Sequence, residues 1–270
     1  MNKPSERALY KYEEIKPPKE LSGFINKIWL FNSTAFSDIG KNFRILPDYT
    51  SSLIFTSGSS AKRQQVFLVG PNTLPIQIQH FPKQLSCGFR FKPAILHGLL
   101  GVSPAISLDK VISLNEIIDE TSYKTLVNEF FSTPNVKKKI EVFGSFISGF
   151  SNESKAKQIE LHKIIDIMLH SEGSVKLETI YASLNISSRQ FQRNFTAATG
   201  LSPKEFCKIV RFHTLANKLV KNNFRHYDAL VEMGYYDQSH YYREFKEFTG
   251  MLPGAFESRQ RRIKHQNLID

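Results

Sequence analysis

The sequence of 270 residues predicts an α+β protein of two domains: a small, mainly antiparallel β-domain with trailing helices, and an all-α domain. Three observations lead to this fold class. Short β-prone runs separated by turn residues fill residues 21–91. After Pro93 the apolar residues recur every three or four positions. A 21-residue segment of the second half is also repeated at a constant offset of fifty positions. We place the domains at residues 1–150 and 151–270, because a chain of this length usually forms more than one domain.

The predicted strands of the first domain are short and rich in β-branched and aromatic residues. They cover residues 24–31, 43–46, 52–57, 66–69, 76–81 and 85–91. The turn residues between them include Pro47-Asp48, Gly58-Ser59 and Gly70-Pro71-Asn72. Such residues favour chain reversal, so the pattern predicts a small, mostly antiparallel sheet or barrel.

The period of the apolar residues changes after Pro93, which predicts helices on or beside the sheet. The stretches concerned are residues 94–101, 114–118, 121–131 and 135–150. Glycine, serine and asparagine then cluster in residues 146–157. This composition predicts the interdomain linker.

The second domain has the clearest helix signals. Ser202, Pro203 and Glu205 combine a capping box with proline at the first helical position, which predicts a helix that continues to about Lys221. The other predicted helices cover residues 159–170, 177–184, 227–233 and 253–263.

The strongest signal in the chain is the repeat of residues 186–206 at residues 236–256. The six identical positions are Arg193/Arg243, Phe195/Phe245, Thr199/Thr249, Gly200/Gly250, Pro203/Pro253 and Phe206/Phe256. Unrelated segments seldom share both their packing positions and their helix-breaking positions. In the second copy, Asp237 can cap a helix and Gly250 can end it. The repeat therefore indicates two copies of one supersecondary unit.

Each copy predicts a helix with one apolar face and one polar face. In the second copy Tyr241, Phe245 and Phe248 recur at helical spacing, which predicts core packing. The polar faces carry Arg189, Gln192, Arg193 and Thr196 in the first copy, and Ser239, His240, Arg243 and Lys246 in the second. The second helix of a helix-turn-helix unit lies in the major groove and needs donors and acceptors at this spacing. An arginine at the equivalent positions 193 and 243 can make a bidentate contact to guanine.

The helix between the two copies predicts their separation. From Pro203 to Lys221 it would be roughly 27 Å long at 1.5 Å per residue. This length is comparable with the ~34 Å between successive major grooves on one face of the duplex. One chain could therefore read two adjacent grooves, at a site of two unlike segments about one helical turn apart.

The repeat and its surroundings resemble the AraC/XylS transcription regulators over about the last 110 residues. The signature is Gly-Tyr, Ser-His-Tyr-Tyr-Arg-Glu-Phe-Lys, Thr-Gly, Pro and Phe in residues 234–256, with its partner in residues 187–206. The resemblance implies a double helix-turn-helix domain and, more often than repression, transcription activation. The base contacts that it implies come from Arg189, Gln192 and Arg193 in one unit and from Gln238, Ser239, His240 and Arg243 in the other.

The first domain resembles the sensor domains of some members of that family. The resemblance is carried by Trp29 and by residues 44–55, 69–71 and 88–104. It implies a sensor or dimerisation role and names no ligand.

The charge distribution favours an anionic partner. The formal net charge is +11, and residues 187–264 carry 14 basic against 7 acidic side chains. A basic stretch of this kind is typical of nucleic-acid-binding domains. We therefore expect double-stranded promoter DNA as the partner. RNA polymerase, a small-molecule effector and a second copy of the chain are further hypotheses.

Other features argue against several classes of protein. Cys87 and Cys207 are too far apart in sequence to build a disulfide framework or a four-cysteine zinc site. His80 and His97 lack a His-x-His spacing, so we expect neither a metal nor another cofactor. No apolar run approaches the ~18 residues of a membrane span, and no apolar signal region follows Met1. We expect a soluble, cytoplasmic protein without a membrane partner.

Two alternative functions stay open on the sequence. One is a basic protein that binds DNA without sequence preference, which would have the same charge. The other is an enzyme built on the β-domain with the helical half as a structural partner. No Ser/His/Asp grouping, phosphate-binding glycine loop or metal-ligand spacing favours an enzyme, so we expect no catalytic activity.

Three charged residues of the β-domain are candidates for an effector pocket. Arg44 and Asp48 flank the Leu46-Pro47 turn, and Arg90 lies among apolar residues. A charge in such surroundings must be paired or must meet a ligand. The alternative interpretation, a structural ion pair, is the more frequent one.

Overall fold

The computed structural model describes residues 11–33, 42–58, 64–79, 84–150, 155–184, 186–221, 235 and 237–262. Antiparallel strands dominate its first part, and the described residues beyond 155 contain helices and no strand. The predicted α+β class, with a β-domain followed by an all-helical domain, is confirmed.

In the residues that the structure describes, eight strands form two antiparallel sheets. The strands are β1 (Lys11–Ile15), β2 (Ile25–Asn32), β3 (Asn42–Ile45), β4 (Ser52–Ser57), β5 (Gln65–Val69), β6 (Ile76–Gln79), β7 (Leu85–Phe91) and β8 (Val111–Ser113). The main sheet has the order β1-β2-β7-β4-β5-β8, and β3 pairs with β6 in a second sheet.

The main sheet separates an apolar core from a cavity, because successive side chains of a strand point to opposite faces. In β4, Leu53 and Phe55 are buried in the core, whereas Ser52, Ile54 and Thr56 line the cavity. β7 alternates in the same way, with Phe89 in the core and Arg90 in the cavity wall.

Three helices cover the core face of the sheet: α1 (Ile95–Leu100), α2 (Glu120–Ser132) and α3 (Val136–Ser148). Phe55 stacks on Phe130 of α2, with ring centroids 3.8 Å apart. Phe89 stacks on Phe143 of α3 at 3.6 Å. Fully burying one such aromatic side chain stabilises a fold by roughly 1.5–3 kcal/mol, so these ring pairs anchor the helices to the sheet.

The helical domain contains α4 (Lys155–His170), α5 (Leu177–Ser183), α6 (Ser188–Thr199), α7 (Pro203–Lys221), α8 (Gln238–Thr249) and α9 (Pro253–Arg262). All six of these described helices contribute to one apolar core. The helix predicted from Pro203 to Lys221 has these bounds. The shorter predicted helices agree with α4, α5 and α9 within a few residues at their ends.

Several predictions differ from the structure. Strands β1 and β8 were not predicted, because β1 has five residues with two consecutive glutamates and no regular alternation, and β8 has three residues. Residues 114–118, predicted as a helix, form only a 3-10 turn at Leu114–Glu116. The predicted helix at residues 227–233 lies outside the described residues.

The predicted linker, residues 146–157, is helical at both ends. Helix α3 continues to Ser148 and α4 begins at Lys155, so the linker composition does not interrupt either helix there. The domain boundary near residue 150 stays a prediction. Within the described part of the chain, no helix has the length and apolar composition needed to cross a bilayer.

Candidate nucleic-acid interface

Helix α6 is capped at both ends by its own sequence. The Gln190 N–H donates to Ser187 Oγ at 3.2 Å, which satisfies one of the free donors of the first turn. At the other end Gly200 adopts a left-handed conformation with φ 82°, which glycine adopts without a steric penalty. Phe191 and Phe195 are buried and fix the rotation of the helix about its axis.

Helix α8 repeats this construction fifty positions later. The His240 N–H donates to Asp237 Oδ1 at 2.7 Å, and Gly250 ends the helix with φ 71°. Tyr241 and Phe245 are buried at the positions equivalent to Phe191 and Phe195. The apolar face predicted for this helix is therefore confirmed.

The repeat extends to individual side-chain contacts. Thr199 Oγ1 donates to Phe195 O at 2.8 Å, and Thr249 Oγ1 donates to Phe245 O at 2.8 Å. Each threonine hydroxyl also accepts the N–H of the residue two positions later, at 3.2 and 3.0 Å. Equivalent ring pairs meet edge to face, Phe195 with Phe206 at 5.4 Å and Phe245 with Phe256 at 5.2 Å. Two copies of one framework are present.

Helix α7 joins the two copies and packs against both. Its start is capped reciprocally: the Ser202 N–H donates to Glu205 Oε2 at 2.8 Å, and the Glu205 N–H donates to Ser202 Oγ at 3.2 Å. Phe206 near its start packs on α6, and Phe212 further along packs on Phe245 of α8 at 5.5 Å. Because both helices rest on one continuous helix, their relative placement follows from its length.

All the residues predicted to contact bases lie exposed on the two capped helices. On α6 they are Arg189, Gln192, Arg193 and Thr196, and on α8 they are Gln238, Ser239, His240, Arg243 and Lys246. On α8, Arg243 Nε donates to Ser239 O at 3.4 Å, and Gln238 Nε2 donates to Tyr242 Oη at 2.9 Å. The exposed face of each helix therefore offers several donors and acceptors to a partner.

One buried polar side chain on the inner face of α8 was missed by the sequence reasoning. Glu244 is only 5% exposed, and the Tyr235 hydroxyl donates to its Oε1 at 2.7 Å. Burial first, and then the neighbouring Glu244 carboxylate, raise the pKa of Tyr235, so this phenol stays protonated as a donor. The available signal was the position of Glu244, three residues after Tyr241 on the apolar face.

The β-domain contacts the ends of both capped helices. Arg44 Nη1 donates to Thr249 O at the end of α8, at 3.0 Å. At the end of α6, a methyl group added to Gly200 would meet Pro104 Cβ at 2.9 Å and Pro71 Cγ at 3.1 Å. The β-domain therefore touches equivalent positions of the repeat, on the side away from the capped N-terminal ends.

The β-domain also contacts α7, between the two repeated units. His213 Nε2 lies 2.8 Å from Pro47 O, and the Tyr49 ring packs on Phe206 with centroids 5.0 Å apart. A movement of the turn at Leu46-Pro47 would therefore change the contacts of α7, the helix that joins the two capped helices.

A cavity of about 520 Å³ lies between the two sheets and α7. Apolar side chains form most of its wall, including Trp29, Phe31, Ile54, Phe67 and Ile78. Gly88 lies under the Trp29 indole, and a Cβ there would collide with that ring. Volumes of ~300–1,000 Å³ are typical of small-molecule sites.

The three predicted effector residues all line this cavity, and two of them are paired with each other. Arg90 Nη2 lies 2.7 Å from Asp48 Oδ2. Burial alone would raise the pKa of Asp48, but the Arg90 guanidinium, His213 and hydrogen bonds from Thr50 outweigh burial and hold that pKa below its usual value. The structural ion pair is therefore present, and Arg44 contacts the end of α8 instead.

Comparison with known proteins connects this geometry to a family. Residues 180–259 match a family model described as "Helix-turn-helix domain". Residues 13–113 match a family model described as "Domain of unknown function (DUF6597)". No curated protein matches the chain.

Several solved structures are similar to this chain. The C-terminal domain of AraT, a response regulator from Geobacillus stearothermophilus, has 19% identity and a TM-score of 0.34, covering 37% of this chain and 84% of that chain. ToxT from Vibrio cholerae (P21 form) has 10% identity and a TM-score of 0.45, covering 92% and 97%. ToxT from Vibrio cholerae O395, bound to (E)-4-(8-methylnaphthalen-1-yl)but-3-enoic acid, has 10% identity and a TM-score of 0.46, covering 93% and 98%.

The family match and the two capped helices on one connecting helix define a DNA-binding protein of the helix-turn-helix class. Residues 180–259 form a helix-turn-helix domain of the AraC type, and this domain supports a role in DNA-binding transcription regulation. The resemblance found for the C-terminal domain is confirmed.

Proposed function

We propose that the chain is a sequence-specific transcription regulator that reads two adjacent major grooves with α6 and α8. The observation that carries this proposal is the duplicated framework. Two helices with caps, threonine contacts and buried rings at equivalent positions present different polar faces from one connecting helix. A single unit of this kind places one helix in the major groove, so two units on a helix of roughly 27 Å suit two successive grooves.

The proposed base contacts have distinct roles. Arg193 and Arg243 occupy equivalent positions and present guanidinium groups that match O6 and N7 of guanine. Gln192 and Gln238 carry amides that suit adenine. Arg189, Thr196, Ser239, His240 and Lys246 complete the two faces by contacting neighbouring bases or phosphates. Activation, contact with RNA polymerase and dimerisation are part of the same proposal.

Selection of bound duplexes from a random-sequence pool tests this function. We expect enrichment of a site with two unlike segments whose centres lie about one helical turn apart. A mobility-shift competition with unselected duplex then measures the specificity ratio at fixed salt, since affinities depend steeply on salt. Equal affinity for selected and unselected duplexes would instead support the alternative, a basic protein that binds DNA without sequence preference.

We also propose that the cavity of the β-domain holds a small-molecule effector. Its wall is mainly apolar, and Asp48 and Arg90 neutralise each other. The Asp109 carboxylate, also in the wall, accepts hydrogen bonds from Thr73. Arg44 and Lys110 are the other cationic side chains of the described wall. These features favour a mainly apolar molecule with one anionic group, near Arg44.

A matched pair of probes tests the proposed effector class. Titration calorimetry of the full chain should detect 1-naphthoic acid and detect its methyl ester much more weakly. Arg44→Gln should weaken binding of the acid and leave binding of the ester unchanged. Equal binding of acid and ester would contradict the anionic preference, and no binding of either would remove this ligand class.

A further inference from the structure

The second unit contains a buried polar network of Tyr235 and Glu244, and the sequence has other residues, Asn185 and Asn194, at the equivalent positions of the first unit. We propose that Glu244 is a positioning residue for DNA recognition: its buried carboxylate, anchored by Tyr235, fixes the imidazole of His240 and so determines the sequence preference of α8. This inference rests on the proposed function, because it assigns a specificity determinant within the same reading face.

The position of the Glu244 carboxylate is closely defined. Its side chain is 5% exposed, its Oε1 accepts the Tyr235 hydroxyl at 2.7 Å, and its Oε2 lies 3.9 Å from Lys208 Nζ. Removing a carboxylate from water is costly unless it is paired and hydrogen-bonded. This carboxylate therefore has few alternative positions.

His240 lies directly above this fixed group, one turn earlier on α8. Its Nε2 is 3.9 Å from Glu244 Oε2, and its ring meets the Tyr235 ring edge to face with centroids 5.5 Å apart. The imidazole is therefore held from two sides, although it lies 48% exposed on the polar face. A ring held in this way loses less rotamer freedom when it contacts a base, which favours discrimination between bases.

The cations around the network are shared with other groups. Lys208 Nζ donates to Glu247 Oε2 at 3.0 Å and lies 4.7 Å from the centroid of the Phe248 ring. The Arg211 guanidinium lies over the Tyr235 ring at 5.5 Å. Glu247 therefore contacts the same lysine as Glu244 and is not among the contacts of His240, which makes it a matched control.

The first unit has other residues at the equivalent places. Asn194 stands where the second unit has Glu244, and it is exposed rather than buried. Gln190 stands where the second unit has His240. Because the network belongs to one unit, its removal should affect only one of the two DNA segments, and the other segment is an internal reference.

The test is a selection in which both DNA segments are randomised, with the full chain and its Glu244→Gln variant. Glutamine keeps an oxygen that can accept from Tyr235 but removes the charge that faces His240. We expect the preference in the segment read by α8 to weaken by about five- to tenfold, within the range set by one base contact. The preference in the segment read by α6 should stay unchanged.

Three further variants test whether Glu244 acts on DNA preference through His240. Glu247→Gln should leave both segments unchanged, and Tyr235→Phe should weaken the α8 segment as Glu244→Gln does. Tyr235→Phe also keeps the proposal testable if Glu244→Gln does not fold. In a His240→Ala background, Glu244→Gln should have no further effect, because the proposed action passes through the imidazole.

Three outcomes overturn the proposal: unchanged preference in Glu244→Gln, equal weakening of both segments, or a full effect of Glu244→Gln in the His240→Ala background. The result for the wild-type chain shows whether the role of Glu244 or the proposed two-groove function itself is wrong. A wild-type chain without preference in either segment refutes the two-groove function itself, whereas a wild-type preference that survives Glu244→Gln refutes only the role of Glu244.

Discussion

The first and second helix-turn-helix units share a framework and differ in what surrounds it. Both have a capped helix, a left-handed glycine, a threonine that bridges the turn, and an edge-to-face phenylalanine pair. Around the first unit, Gly200 rests on two prolines of the β-domain. Around the second, Arg44 holds the end of the helix and Glu244 lies beneath it. Apart from the exposed pair Arg193/Arg243, the identical positions of the repeat therefore belong to the shared scaffold, whereas the contacts around the two units differ.

Truncation of the equivalent core rings is the largest expected effect and tests whether the scaffold is equivalent. Phe195→Ala and Phe245→Ala each remove a ring that is 1% exposed. Each should lower the free energy of unfolding by ~3–5 kcal/mol, since the ring is lost and a cavity is left. Chemical denaturation of the full chain measures both values. A difference above about 2 kcal/mol between the two variants would break the equivalence.

Alanine substitution at the two left-handed glycines should destabilise the two units by different amounts. The left-handed backbone alone costs roughly 1–2 kcal/mol in each. At Gly200 the new methyl group also meets Pro104 and Pro71, whereas at Gly250 it meets the guanidinium at the end of the long Arg44 side chain, which can move aside. Gly200→Ala should therefore lose more stability in thermal melting than Gly250→Ala. Arg44→Ala, which clears the space at Gly250, is the control, and an equal loss at both glycines would contradict the assigned contacts.

Removal of the two N-caps compares the same two units, with a smaller expected loss of stability. Ser187→Ala and Asp237→Ala should each cost about 1 kcal/mol, because each leaves an N–H of the first turn without its acceptor. Asp237→Asn and Ser187→Thr keep an acceptor and should lose much less. Denaturation midpoints measure all four variants. Unchanged stability in either alanine variant would show that its cap is replaced by solvent.

The sequence was most informative where local chemistry determines local structure. The capping box at Ser202 and the proline at position 203 gave the bounds of α7, and the spacing of Phe245 and Phe248 gave the buried face of α8. These features depend on residues within a few positions of one another. The repeat added information because it tested the same pattern twice.

The contacts between distant segments could not be predicted in this way. Arg44 and the Thr249 carbonyl are 205 positions apart, and no periodicity connects them. The pairing of Asp48 with Arg90 was an open alternative that depended on the sheet register, since Ser52 lies opposite Arg90 across β4 and β7. Glu244 falls on an apolar face, where the spacing predicts burial but does not identify the partner.

The central claim is that each unit reads its own DNA segment, and one measurement tests it most directly. Binding of the full chain, Arg193→Ala and Arg243→Ala is compared on a library in which the two segments are randomised independently. Each variant should lose ~1–3 kcal/mol of binding free energy for the preferred site, and its sequence preference should relax only in the segment that the substituted helix contacts. Unchanged preference in both variants, or relaxation of both segments by either one, would contradict the claim.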